Sequence, residues 1–156
     1  MKKVTLGQTV DNFTSPVTSN KEIQFANLKG KNVILYFYPK DKTPGCTIES
    51  CGFRDYHTEF NKLNTVILGV SRDSLMLHES FKEKYNLPFE LISDENEQLC
   101  QQFDVIKMKS FFGKQIRGIQ RSTFLIDKNG ILQREWRKVK IVGHVKEVLQ
   151  AVKDLM

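Results

Sequence analysis

Two kinds of hydrophobic pattern take turns along the chain. Val33 to Tyr38 and "TVILGVS" (Thr65 to Ser71) are continuous apolar runs, the signature of strands covered on both faces. Pro39 ends the first of them. Beyond it, Ile48, Phe53, Tyr56 and Phe60 recur at helical spacing and predict a helix from Cys46 to about Leu63. Pro44 suits its start, because the missing N–H would have no intrahelical partner there. Asp73 or Ser74 can cap a second helix through about Tyr85, which Leu87-Pro88 stops. "FELISD" then reads as a short strand and "ENEQLCQQF" as a short helix. "STFLID" and "ILQREWRKV" flank Lys128-Asn129-Gly130, a hairpin signal with glycine at the turn. A last helix begins near His144, with Val145, Val148, Leu149 and Val152 on one face. Upstream of all this, an irregular first segment precedes "KEIQFANLKGKN", a short strand and turn. The order predicts an α/β fold, a central mixed sheet with helices on both sides.

No repeat, low-complexity tract or linker divides the pattern, so one domain over residues 1–156 is expected. The 156 residues, 40% hydrophobic and 27% charged, suit one soluble unit with a single core. No stretch approaches the roughly 18 to 20 apolar residues of a membrane span. "MKKVTLGQTVDNF" has two lysines but no apolar run behind them, which argues against a secretory leader. The expectation is a cytoplasmic protein with no membrane partner, its thiols kept reduced. The net charge of +6 gathers loosely at Lys107, Lys109, Lys114, Arg117 and Arg121, and again at Arg134, Arg137, Lys138 and Lys140. No helix-turn-helix, zinc-finger or aromatic RNA-binding pattern accompanies these residues. They read as a solvated basic face, and a nucleic-acid-binding module would rest on the charge alone.

The chemistry lies in the cysteines. Cys46, Cys51 and Cys100 are an odd number, which favours reactive or buried thiols over a disulfide framework. Cys46 falls in the predicted first turn of a helix, where unpaired N–H groups and the helix dipole favour an anion. The thiolate is the nucleophilic form of cysteine, so this is where an activated one belongs. A small apolar helix residue is the plainer alternative. Thr43, three residues earlier, can turn its hydroxyl toward the sulfur or toward an oxygen the sulfur attacks, and Pro39 and Pro44 stiffen the loop. Cys51 is five positions on. In an intact helix the two Cα atoms would stand roughly 8.7 Å apart, beyond the ~7 Å limit for a disulfide. A bridge between them requires the first turn or two to unwind. That spacing also differs from the CxxC of dithiol reductases. Cys46, Cys51, His57 and Cys100 lack zinc-ligand spacing, so no metal is expected.

"PKDKTPGCTIESCGFRD" resembles the active-site segment of peroxiredoxins, Pro-x-x-x-Thr/Ser-x-x-Cys, with Pro39, Thr43 and Cys46 at the defining positions. The Cys-x4-Cys spacing resembles the subgroup known as bacterioferritin comigratory protein or peroxiredoxin Q. "GVSRDS", "HESFKEKYNLPFELISDE", "GIQRSTFLIDKNG" and "VKIVGHVKEVL" follow in the same order as in that family. Two segments depart from it: "GQTVDNF" lacks the usual proline, and "FDVIKMK" replaces a Tyr-Gly-Val-Trp-like stretch. The resemblance implies a thioredoxin-like fold and a two-cysteine peroxidase acting on hydrogen peroxide and organic hydroperoxides. It makes Cys46 the peroxidatic cysteine, Cys51 the resolving cysteine, Arg121 the active-site arginine, and Glu49 and Arg54 supporting polar residues. A dithiol protein such as thioredoxin would be the reductant, with no cofactor. Pairing within one chain removes any catalytic need for a dimer, so a monomer is expected. A thiol-based redox sensor could use the same pair. Cys100 matches no catalytic position of the family and reads as a buried small side chain.

Overall fold

The computed structural model describes residues 2–155. A seven-stranded mixed sheet runs in the order β2-β1-β5-β4-β3-β8-β9. Its strands are β1 (Thr14–Val17), β2 (Lys21–Gln24), β3 (Asn32–Phe37), β4 (Thr65–Ser71), β5 (Glu90–Ser93), β8 (Ser122–Ile126) and β9 (Leu132–Arg137). The centre, β5-β4-β3, is parallel, and β8 and β1 close it on either side antiparallel. A separate two-stranded ribbon is formed by β6 (Ile106–Phe111) and β7 (Lys114–Ile119). The helices are α1 (Pro44–Asp55), α2 (His57–Lys62), α3 (Leu75–Tyr85), α4 (Gln98–Gln102) and α5 (His144–Asp154).

β3 shows why a continuous apolar run was needed. Val33, Leu35 and Phe37 enter one core, with Val10, Phe13, Leu99, Phe103 and Phe124. Ile34, Tyr36 and Tyr38 enter the other, with Phe53, Phe60, Phe81, Val148 and Val152. Successive side chains of a strand point to opposite faces, so a strand buried twice must be apolar throughout. The architecture is the thioredoxin-like α/β layer structure expected from the sequence.

Two expectations require correction, and one stretch to which no element was assigned forms a hairpin. The helix expected from Cys46 to Leu63 is two helices, broken at Tyr56, whose backbone leaves helical geometry at φ −100°, ψ 7°. The irregular first segment contains β1, hidden in the sequence by Pro16 and by two exposed positions in four. The loosely basic stretch after Val105 is the β6–β7 hairpin. Phe112 (φ 50°) and Gly113 (φ 76°) make its tight turn, the positive-φ pair that matches strand twist. Elsewhere the local signals served. Ser74 caps α3, its hydroxyl accepting from the Leu77 N–H, and β4 occupies the run from Thr65 to Ser71.

Two close approaches fix α1 against the sheet. Gly69 on β4 leaves room for Tyr36, since a Cβ there would meet the Tyr36 ring at 2.8 Å. The ring stacks on Phe53 at 4.7 Å, and its hydroxyl reaches Ser50 of α1 at 2.9 Å. Such an aromatic pair contributes about 0.5–1.5 kcal/mol beyond its buried area.

Candidate active site

Thr43 is the N-cap of α1, and Pro44 and Gly45 lead to Cys46 in its first turn. The Thr47 N–H closes the first helical bond on the Thr43 carbonyl at 2.9 Å. The N–H groups of Gly45 and Cys46 lie ahead of that bond and point out of the helix start. Thr43 does not cap them with its side chain. Instead its hydroxyl donates to the Lys40 carbonyl at 2.8 Å. Having given its proton there, the Thr43 oxygen can only accept from a further partner.

Cys46 is fully buried and is a free thiol, as is the half-buried Cys51. Arg121, just before β8, donates from Nη2 to Cys46 Sγ at 3.3 Å and from Nη1 to Glu49 Oε1 at 2.8 Å. One planar guanidinium thereby spans the thiol and the carboxylate. Glu49 lies one turn after Cys46 and is itself fully buried; its Oε2 has no hydrogen-bond partner among the described residues. Burial outweighs the opposing effect of Arg121 and pushes the Glu49 carboxyl up to about 7.

Pro39 and Thr43 stand on either side of a loop pinned from below. Asp41 is buried and accepts from the Tyr38 hydroxyl at 2.7 Å, while its N–H donates to Asp73 at 2.9 Å. His78 Nδ1 meets Asp41 Oδ2 at 2.6 Å. No sequence motif flagged this network, because its members come from two stretches more than thirty residues apart, Tyr38–Asp41 and Asp73–His78. The other site expectations fall differently. Arg54 lies away from Cys46: it binds Asp55 at 3.1 Å and the Tyr85 carbonyl at 2.8 Å, tying α1 to the end of α3. Cys100 is buried, and both its backbone N–H and its thiol hydrogen-bond Asp94, so burial and that carboxylate push the thiol far up. It is a poor nucleophile where it stands.

Two neighbours of Arg121 carry charge or could. His144, at the start of α5, bonds Thr123 Oγ1 at 2.8 Å, and burial lowers it to about 4, so it is neutral near pH 7. Lys109 of β6 donates to the Ile119 carbonyl, and burial, then Arg121, lowers it. The four residues Cys46, Cys51, His57 and Cys100 do not gather as a metal-binding group among the described residues. Cys51 is pushed up by burial, with Asp55 adding and Arg54 opposing. Both thiols ride on the same intact helix, so the resolved geometry is that of the reduced, folded state.

Chemically, the arrangement presents a sulfur at a helix start, a guanidinium donor on it, an acceptor oxygen nearby in sequence, and a second thiol waiting on the same helix. Residues 6–135 match the family model described as the AhpC/TSA family. The chain is 51% identical to the peroxiredoxin Bcp of Bacillus subtilis over 152 residues, 97% of each chain. A Xanthomonas campestris bacterioferritin comigratory protein, whose structure concerns alkyl peroxide reduction activity, is 42% identical with a TM-score of 0.89, covering 99% of this chain and 98% of that one. A cysteine mutant of Xylella fastidiosa PrxQ is 37% identical with a TM-score of 0.93, over the same shares of the two chains.

Proposed function

The chain belongs to the AhpC/TSA family as a peroxiredoxin of the Bcp kind, and on that premise we propose a two-cysteine mechanism for its thiol peroxidase activity. The observation that carries it is Arg121 bonded to Cys46 Sγ at the start of a helix that also bears Cys51. The Cys46 thiolate attacks one oxygen of a hydroperoxide. The O–O bond breaks, the parting oxygen takes up the proton that the thiol gave up on ionising and leaves as water or an alcohol, and Cys46 becomes sulfenic acid. Arg121 and the N–H groups at the helix start stabilise charge on the parting oxygens, the oxyanion-hole argument applied to an O–O bond. Thr43, its own proton committed to Lys40, accepts the hydroperoxide O–H and orients it. Pro39 stiffens the approach to this loop.

The first turns of α1 then unwind. Cys51 sulfur displaces the sulfenic oxygen as water, and a Cys46–Cys51 disulfide forms. Unwinding also returns Cys51 to water, removing the burial that holds its thiol up in the folded helix. A thioredoxin-type dithiol restores both thiols by exchange. No step calls for a metal or organic cofactor. The proposed substrate range is hydrogen peroxide together with organic hydroperoxides; the alkyl peroxide reduction activity of the Xanthomonas relative supports the second class. The same chemistry serves antioxidant defence. In this reading the chain acts as one domain and as a cytoplasmic monomer; with both cysteines on one helix, the mechanism has no need of a second copy. No helix among the described residues is long and apolar enough to cross a membrane.

Rapid-quench thiol analysis tests the scheme. With Cys51→Ser, one equivalent of peroxide should leave Cys46 as a sulfenic acid and stop. Undiminished thioredoxin-coupled cycling in that variant would remove Cys51 from the resolving role.

A further inference from the structure

α3 holds the loop that precedes Cys46. His78 is fully buried in its first turns and uses both ring nitrogens: Nδ1 meets Asp41 Oδ2 at 2.6 Å, and Nε2 donates to the Ile92 carbonyl at 2.9 Å. Asp41 completes its bonding with the Tyr38 hydroxyl and, through its N–H, with Asp73. Asp73 in turn accepts from the Ser71 hydroxyl at 2.5 Å. Asp41, Asp73 and His78 place their ligand-type atoms within 4.8 Å of one another. Those atoms are already engaged with each other, with hydroxyls and with a backbone N–H, so they form a hydrogen-bonded latch rather than an ion site.

The loop needs holding. Lys42 sits at φ 62°, a left-handed conformation that a non-glycine side chain adopts at a cost. Its Nζ reaches Ser80 of α3 at 2.6 Å, so α3 grips the loop at two successive residues. Next in sequence comes Thr43, whose hydroxyl direction depends on the Lys40 carbonyl of the same loop.

We propose that His78 is a positioning residue for peroxide attack: through Asp41 it fixes the Pro39–Thr43 loop so that Thr43 is aimed at the hydroperoxide, and it takes no part in the later unwinding of α1. This rests on the peroxidase reading above. The latch holds the chain before Cys46, and the segment that must melt follows it, so the two steps separate. Losing the latch misplaces Thr43 but leaves the Cys46–Cys51 segment free to unwind as before. Misplacement of a catalytic group by about 1 Å costs on the order of a hundredfold in rate.

The test compares wild type with His78→Phe, His78→Gln and the shape-preserving Asp41→Asn. Each is assayed for the second-order rate of Cys46 oxidation by hydrogen peroxide and the first-order rate of disulfide formation. His78→Phe and Asp41→Asn should slow oxidation by about tenfold to a hundredfold, raise the KM for peroxide, and leave the disulfide step within about twofold. His78→Gln, which can still donate to Asp41, should recover part of the loss. Equal slowing of both steps, or unchanged oxidation in the folded Asp41→Asn protein, would overturn the proposal. Should wild type itself fail to oxidise at Cys46, it is the peroxidase reading that fails, an outcome distinct from either.

Discussion

The two sides of Cys46 are built in opposite ways. Before it, residues 38–43 are held by Asp41 bonded three ways, by Lys42 on Ser80 and by Thr43 on Lys40. After it, α1, which has no side-chain cap, carries a buried carboxylate oxygen with no hydrogen-bond partner among the described residues and ends at Asp55, at the break before α2. The Cys46 sulfur sits on the seam. In the proposed mechanism this contrast lets one residue serve two steps with opposite demands: peroxide attack needs fixed geometry, and resolution needs a helix that opens. Low-stability elements are where such motion belongs.

The widest break in this account comes from Cys46→Ser, which should reduce thioredoxin-coupled peroxide consumption to background; retained turnover would end the mechanism. Arg121→Met comes next. It removes the donor on Sγ and leaves Glu49 buried without its partner, so oxidation of Cys46 should fall by about a hundredfold or more, by analogy with loss of one oxyanion-hole donor. Stopped-flow oxidation kinetics measure this. A fall of less than about threefold would mean the guanidinium is not acting on the reacting atoms.

Glu49 gives a pH signature for the melting side. Its folded carboxyl, raised by burial to about 7, lies above the ordinary value near 4.5 that it regains in water on unwinding. Folded α1 therefore holds the proton more tightly. Its stability contribution is fully present below about pH 4.5 and is lost as pH rises through about 7. Unwinding should become easier across that window, and the disulfide-forming step faster. Glu49→Gln should flatten this rise while leaving the loop untouched; an unchanged pH profile would remove Glu49 from the control of α1. The smallest effect is expected from Gly45→Ala, whose Cβ would lie 3.2 Å from Arg121 Nη2 and 3.0 Å from Ile141 Cδ1. Both side chains can shift by a few tenths of an ångström, so a severalfold loss of oxidation rate is expected, with the disulfide step unchanged.

Most of the architecture was legible locally. β3 and β4 announced themselves as apolar runs, Ser74 as a cap, and Lys128-Asn129-Gly130 as a turn. The break at Tyr56 was hidden, because Phe53, Tyr56 and Phe60 keep helical spacing across it while the chain changes direction. The β6–β7 hairpin was masked by its lysines, although its alternation and Phe-Gly turn were there to be read. In the site, the spacing of Thr43, Cys46 and Cys51 was a local fact. Arg121 could be placed on Cys46 only by resemblance, since 75 residues separate them. His78 was not legible at all. Its partner Asp41 lies 37 residues away, and nothing in a lone histidine on a helix says which carboxylate it will meet.

The most direct test of a fixed loop beside a melting helix is amide hydrogen exchange, compared between the reduced and the Cys46–Cys51 disulfide forms. The account predicts that amides from about Thr47 to Cys51 lose protection in the disulfide form, while the Asp41 amide, bonded to Asp73, keeps it. Unchanged protection along α1, or loss of protection on both sides of Cys46 together, would contradict it.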